Sequence, residues 1–403
     1  MEEKINKASK TGREWRQISI SERAVLMQKV SKNLQDNFER YAALITKEMG
    51  KPITQAEAEV KKCALVCDYY ATNAPTFLAD KHMVSEASES FVRYDPLGVI
   101  LGVMPWNFPF WQVFRFAVPT LMAGNTVLVK HASNVSGCAA LIEDIFIQSG
   151  FPDGAYQNLP IQSSAVEAVI AHPAVKAISL TGSEDAGKAV SSTAAKHLKK
   201  SVLELGGSNA FIICADADLT TAVPLAVTAR MQNAGQSCIA GKRFIVHHSL
   251  LDAFTQKFAD QVAQMKFGDP QDRATEIGPI AREDLAEEVE RQVNDSIAQG
   301  AKVVLGAQRK GAYYSPTVLS NITPTMPVFA QEVFGPVAPI IGFTDFEEAI
   351  ALSNAAEFGL GVSVITKDVA ALLPHISAFQ EGCVFINEIV KSDPKLPFGG
   401  IKK

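Results

Sequence analysis

The sequence has 403 residues, 47% of them apolar and 20% charged, with a formal net charge of −5. That composition belongs to a globular protein with room for two or three domains and a large core. The mild acidic excess argues against nucleic acid or an anionic membrane as a partner, and no run of about 18 or more apolar residues marks a membrane span.

The N-terminus, MEEKINKASKTGREW, is polar, opens on two acids after Met1 and lacks the apolar core of a secretion signal. Residues 19–49 read as a helix. Ser19 and Glu22 fit a capping box, and Leu26, Val30, Leu34, Phe38, Tyr41, Ile45 and Met49 recur every three or four residues. Gly50 and Pro52 end it, and a second helix is expected over about 53–79. VSEASESFVRYDPLG (84–98) alternates enough for a hairpin that leaves the body.

Short apolar runs follow: VILGVM (99–104), TVLVK (126–130), VKAISL (175–180), SVLEL (201–205) and AFIIC (210–214). Helical stretches near 111–122, 135–149, 163–171 and 185–198 separate most of them. Strands alternating with helices predict parallel strands joined by crossovers, a doubly wound α/β sheet. The pattern repeats with RFIVH (243–247), a helix over 249–265, AKVVLG (301–306), PVAPIIGF (336–343), VSVIT (362–366) and CVFINE (383–388). Two α/β domains are expected, with a boundary near 206–210.

Six cysteines (63, 67, 138, 214, 238, 383) are scattered through the chain. That suits reduced thiols in a cytosol better than a disulfide framework. The seven histidines form no zinc-type pattern with them, and no metal is expected.

Cys238 lies in QNAGQSCIAGKR (232–243), a polar stretch with Gly235 and Gly241 on either side. Two readings stand: a buried structural thiol, or a nucleophile in a loop whose glycines let backbone approach a ligand and whose N–H stabilises an oxyanion. In LELGGSNA (203–210), Glu204 ends a strand before Gly206 and Gly207; it is a general base in a partly dry cleft or a solvated strand end. In MPWNFP (104–109), Pro105 and Pro109 clamp a turn with Trp106, Asn107 and Phe108, which either holds the Asn107 amide as a donor or is a simple turn.

LTGSEDAG (180–187) follows a strand and opens a helix with Gly182 and Gly187, yet it is neither G-x-G-x-x-G nor a P-loop. Ser183 there caps the helix or touches phosphate. Lys130 ends its strand at the edge where α/β sheets bind ligands, and QEVFGPV (331–337) sets Glu332 and Phe334 before a Gly-Pro turn.

PWNFP, a strand ending in lysine, TGS, LELGG, GQSC, EVFGP and PFGG occur in that order, and together they strongly resemble the aldehyde dehydrogenase superfamily over nearly the whole chain. PWNFPFWQVFRF, KHASN and NAGQSCIAGKR look most like its bacterial NAD(P)-dependent succinate-semialdehyde branch. The resemblance implies two doubly wound parallel-sheet domains. Residues 1–83 and 97–206 would bind the dinucleotide, 84–96 would form a protruding oligomerisation hairpin, and 207–403 would be catalytic. Cys238 then matches the nucleophile, Glu204 the base, and Asn107 with the Cys238 N–H the oxyanion hole. Pro105, Trp106, Lys130, Ser133, Gly182, Ser183, Gly206, Glu332 and Phe334 match cofactor-binding positions.

Ser133 stands where members that prefer NAD often carry glutamate, so NADP is expected to be accepted, with NAD alongside. Arg115, eight residues after Asn107, matches an arginine that grips a substrate carboxylate, the other reading being a surface or inter-helix arginine. Phe116 replaces a lysine common in relatives, and Arg230 is a second anion candidate. A small aldehyde substrate, a homodimer or homotetramer and a cytoplasmic location complete the expectation.

Measured against the family pattern, the usual N-terminal segment is missing, and LPFGGIKK falls where relatives continue. This motivates an alternative: a truncated, non-catalytic chain that binds nucleotide or a partner subunit. A cofactor-free thiol hydrolase is a third reading, for which His247 and His248 are poorly placed.

Overall fold

The computed structural model describes residues 1–402. They form two compact units: Met1–Glu48 with Ala56–Glu204, and Met49–Gln55 with the chain from Leu205 onward.

The first unit is built on a five-stranded sheet in the order Tyr156–Asn158, Thr126–His131, Val99–Met104, Val175–Thr181, Lys200–Glu204. Every neighbouring pair is parallel. The two central runs, VILGVM and TVLVKH, are buried at five of six positions each, because helices cover both faces. Tyr156–Asn158 was not anticipated: three residues with two polar amides give no apolar run.

One helix was not anticipated and one helical expectation changes. Glu2–Trp15 is a helix whose Ile5, Ala8, Gly12 and Trp15 are buried at helical spacing inside a polar sequence. Trp15 anchors it by donating its indole N–H to the Leu121 carbonyl at 3.1 Å. The stretch 19–49 is two helices, Ile20–Asp36 and Phe38–Met49, parted at Asn37 (φ −124°, ψ 16°). The Asn37 side-chain amide donates to the Asn33 carbonyl at 2.9 Å, and this competes with continuing the helix. The capping box of Ser19 and Glu22 is present. The exposed hairpin pairs Lys81–His82 antiparallel with Phe91–Val92, so it begins before residue 84.

The chain runs from Val99–Met104 outward on one side, then returns to Val175–Thr181 on the other. This reversal is the sheet's topological switch point, and ligands of such sheets bind beyond the strand C-termini there. The Pro105–Pro109 turn and the Gly182–Ser183 turn leave from those two ends.

The second unit holds seven strands: Lys302–Leu305, Thr317–Ser320, Val337–Phe343, Gly241–His247, Asn209–Ile213, Val362–Ile365 and Val384–Ile386, in that order. All neighbours are parallel except the first pair. Between Leu305 and Thr317 there is only a small hairpin, Arg309–Lys310 with Tyr313–Tyr314. A parallel return needs roughly a dozen residues or more, usually a helix, so this edge strand turns back antiparallel. Phe211, Phe244, Phe254 and Phe258 centre one core cluster of this unit. Among the described residues no helix is long and apolar enough to cross a membrane.

Candidate active site

In the first unit the Pro105–Pro109 turn is fixed from two sides. His131, at the end of the neighbouring strand, sets Nε2 2.8 Å from the Pro109 carbonyl, while its Nδ1 accepts the Ala132 N–H at 2.9 Å. Nε2 therefore carries the proton. Burial lowers the imidazole to about 4, so it is neutral at neutral pH. Glu59 accepts the Phe110 and Trp111 N–H groups, each at 2.9 Å, placing a carboxylate at the N-terminus of helix Trp111–Met122. Asn107 is thus held in a rigid turn and is 4% exposed, with Pro105 and Trp106 half-buried beside it.

Glu204 ends its strand half-buried, and its carbonyl accepts the Gly182 N–H at 3.0 Å. Burial pushes its carboxyl up, and the Arg115 guanidinium opposes that rise. Arg115 Nη2 donates to Thr181 Oγ1 at 3.4 Å. Arg115 and Glu204 therefore share the C-terminal edge of the sheet.

The cofactor candidates lie along the same edge. Lys130 is half-buried with Nζ 3.3 Å from Ser163 Oγ, and burial lowers its pKa. Ser183 caps helix Glu184–Lys196, accepting the Ala186 N–H at 3.4 Å, and stays exposed. Ser133 opens the short turn Ser133–Val135 and is exposed. A Cβ added at Gly182 would make only ordinary contacts, the nearest at 3.7 Å to Leu180, so the turn is not crowded there. An ammonium, three serine hydroxyls and a helix N-terminus suit a phosphorylated dinucleotide, with no carboxylate at 133 to repel a 2′-phosphate. Ser163 had no signal in the sequence.

The second unit gathers its residues at the opposite strand ends. Asn209–Ile213, Gly241–His247 and Val337–Phe343 are neighbours in the sheet, and the segments just before them carry Gly206 and Gly207, Cys238, and Glu332 with Phe334. A Cβ at Gly207 would sit 2.5 Å from the Cys238 carbonyl, and one at Gly206 would strike the Glu332 carboxylate. Both glycines admit these neighbours. Glu332 accepts the Gly207 N–H at 3.1 Å and the Lys242 ammonium at 2.5 Å.

The Cys238 loop is strained and braced. Asn233 (φ 54°), Ala234 (φ 51°) and Gly235 (φ 72°) are left-handed in succession. Such residues cost on the order of 1–3 kcal/mol each unless glycine, and persist where the surroundings over-determine them. Gln236, 1% exposed, supplies that by donating to the Asn233 carbonyl at 3.0 Å and accepting the Ala281 N–H at 2.9 Å. Cys238 emerges half-buried. Cys63, Cys67 and Cys138 are buried, burial pushes Cys214 up to about 12, and Cys383 donates to the Leu360 carbonyl at 3.1 Å.

Arg230 is not an anion site. It is fully buried and donates to the carbonyls of Val333 (3.0 Å) and Gly335, which ties down the segment carrying Glu332 and Phe334. His247 ends the strand that Cys238 precedes and bonds Ser249 and the Thr344 carbonyl there, so it serves no thiol hydrolase.

Two doubly wound α/β units, one with a dinucleotide-type edge at its switch point, suit an enzyme that binds a dinucleotide. The profile described as the aldehyde dehydrogenase family matches residues 1–403, and the chain belongs to that family. It is 49% identical to a Synechocystis protein named a probable succinate-semialdehyde dehydrogenase (NADP(+)), covering 99% of this chain and 89% of that protein. It is 45% identical to the succinate semialdehyde dehydrogenase (NAD(P)+) Sad of Escherichia coli, over 97% of this chain and 85% of that one. A crystal structure of succinic semialdehyde dehydrogenase from Streptococcus pyogenes with NADP+ superposes with a TM-score of 0.97 at 35% identity, over 99% of this chain and 89% of that one. The protein is therefore an NAD(P)-dependent aldehyde dehydrogenase. The truncated, non-catalytic alternative finds no support in these relatives.

Proposed function

We propose that this enzyme oxidises succinate semialdehyde to succinate with NADP+, and with NAD+ as a second acceptor. The names of the relatives at 49% and 45% identity support this substrate. The observation that carries the chemistry is the Cys238 thiol displayed half-buried on a braced, left-handed loop. Its thiolate attacks the aldehyde carbon, forming a thiohemiacetal whose oxyanion the Asn107 amide and the Cys238 N–H stabilise. A nicotinamide held by Glu332 and Phe334 would supply the hydride acceptor for that carbon. Water then attacks the resulting thioester, Glu204 takes its proton, and the acid leaves as the thiolate is restored.

Arg115 holds the distal carboxylate, which sets this substrate apart from uncharged aldehydes. Pro105, Trp106, Lys130, Ser133, Gly182 and Ser183 of the first unit hold the dinucleotide, and Gly206, Glu332 and Phe334 serve its nicotinamide end. The division of labour follows the first unit for cofactor and the second for catalysis, with the hairpin of Lys81–His82 and Phe91–Val92 bridging subunits of a cytoplasmic dimer or tetramer.

The test is NADPH formation by the purified chain with succinate semialdehyde, acetaldehyde and a medium-chain aldehyde, with Cys238→Ala as control. The reading requires succinate semialdehyde to give the highest kcat/KM and the alanine variant to give no NADPH. Equal rates on all three aldehydes would remove the substrate assignment.

A further inference from the structure

A lysine buried inside the second unit has no role in the reading above. Lys242 is 1% exposed at the start of strand Gly241–His247. Burying an ammonium costs several kcal/mol unless its donors are paired, and an apolar side chain would fill the space more cheaply. All three donors of Lys242 have partners: the Gly207 carbonyl, the Cys238 carbonyl at 3.2 Å and Glu332 Oε1 at 2.5 Å. The Phe334 ring centroid lies 5.4 Å from the same nitrogen. One ammonium thus touches each segment that the three adjacent strands bring together: the glycine turn, the thiol loop and the Glu332–Phe334 segment.

We propose that Lys242 is a positioning residue, whose ammonium ties the Cys238 loop to Glu332 and supplies the positive charge that favours the Cys238 thiolate. This rests on Cys238 being the nucleophile. Burial lowers the Lys242 pKa; of the charged and titratable groups facing it, Glu332 and Cys238 favour its protonated form and Arg230 opposes it. Two anions share one cation. Removing the Glu332 charge leaves more of the ammonium's field to the sulfur, and removing the ammonium leaves the thiolate without its counter-ion.

The experiment is the pH dependence of Cys238 alkylation by iodoacetamide, followed by peptide mass mapping, in the full chain without cofactor. Lys242→Met should raise the midpoint by about one pH unit, which is about a tenfold loss of thiolate below it. Lys242→Arg keeps the charge and should leave the midpoint near that of the wild type. Glu332→Gln should lower it. An unchanged midpoint in both Lys242→Met and Glu332→Gln would overturn the proposal while leaving the nucleophile assignment intact, since a merely structural lysine moves stability and not the thiol's titration. Should Lys242→Met fail to fold, Glu332→Gln decides alone, and an unchanged midpoint there is the overturning result. If Cys238→Ala retains aldehyde oxidation, the nucleophile assignment and this proposal fall together.

Discussion

Arg115 carries the substrate assignment on one side chain. It sits on helix Trp111–Met122, bonded to Thr181 and electrostatically linked to Glu204. It is half-buried, which suits both a carboxylate-gripping arginine and an inter-helix one. A charged hydrogen-bond pair is worth roughly 1.5–3 kcal/mol. Arg115→Leu is therefore expected to lower kcat/KM for succinate semialdehyde by about ten- to a hundredfold, while a medium-chain aldehyde changes far less. Steady-state kinetics on both substrates checks this, and an equal loss on both would mean that Arg115 acts through Glu204 alone. Arg230 shows the opposite case. A charged residue on a helix reads as an anion site, and only its carbonyl acceptors at Val333 and Gly335, a hundred residues away, show it to be a brace.

At the scale of elements, the motif loops were legible because their punctuation is local. Prolines in MPWNFP and glycines in LELGG and GQSC mark turns without reference to the rest of the chain. What holds those turns was not legible. Glu59 reaches the Phe110 and Trp111 N–H groups from another helix, His131 reaches Pro109 from the next strand, and Lys242 meets Glu332 across 90 residues. Such partners exist only once the sheet order is set. The antiparallel edge strand Lys302–Leu305 escaped for a related reason, since an apolar run carries no sign of its direction.

His131 gives these braces a pH signature. Its pKa falls from an ordinary value of 6.5 to about 4 on folding, chiefly through burial. Between those values the unfolded chain binds a proton that the folded chain refuses, so stability drops as pH falls through that window and levels off below it. The full difference is about 3 kcal/mol. His131→Asn keeps a donor for Pro109 without the titration. Urea unfolding of both forms at about pH 7 and about pH 5 should show a smaller acid loss in the variant. An identical loss would assign the acid sensitivity to other groups.

For the whole molecule, the fold class was readable from alternating apolar runs and helical stretches, and the match at TM-score 0.97 bears it out. The hairpin region exposes Val84, Phe91, Val92, Tyr94 and Leu97. Apolar side chains exposed together on and beside a two-residue ladder mark a candidate interface. Light scattering of the purified chain is expected to report a dimer or tetramer, and Phe91→Lys with Val92→Lys to lower that mass. A monomeric wild type would contradict the bridging role.

The central claim is that the acyl group is carried on Cys238. Glu204→Gln should slow the hydrolysis of the thioester by about a hundredfold or more, since general-base catalysis is worth that much. The most direct measurement is therefore peptide mass analysis of Glu204→Gln quenched during turnover with succinate semialdehyde and NADP+. The account predicts a succinyl group on the peptide containing Cys238 and on no other cysteine peptide. Undiminished turnover with no acylated Cys238, or acylation of a different cysteine, would contradict it.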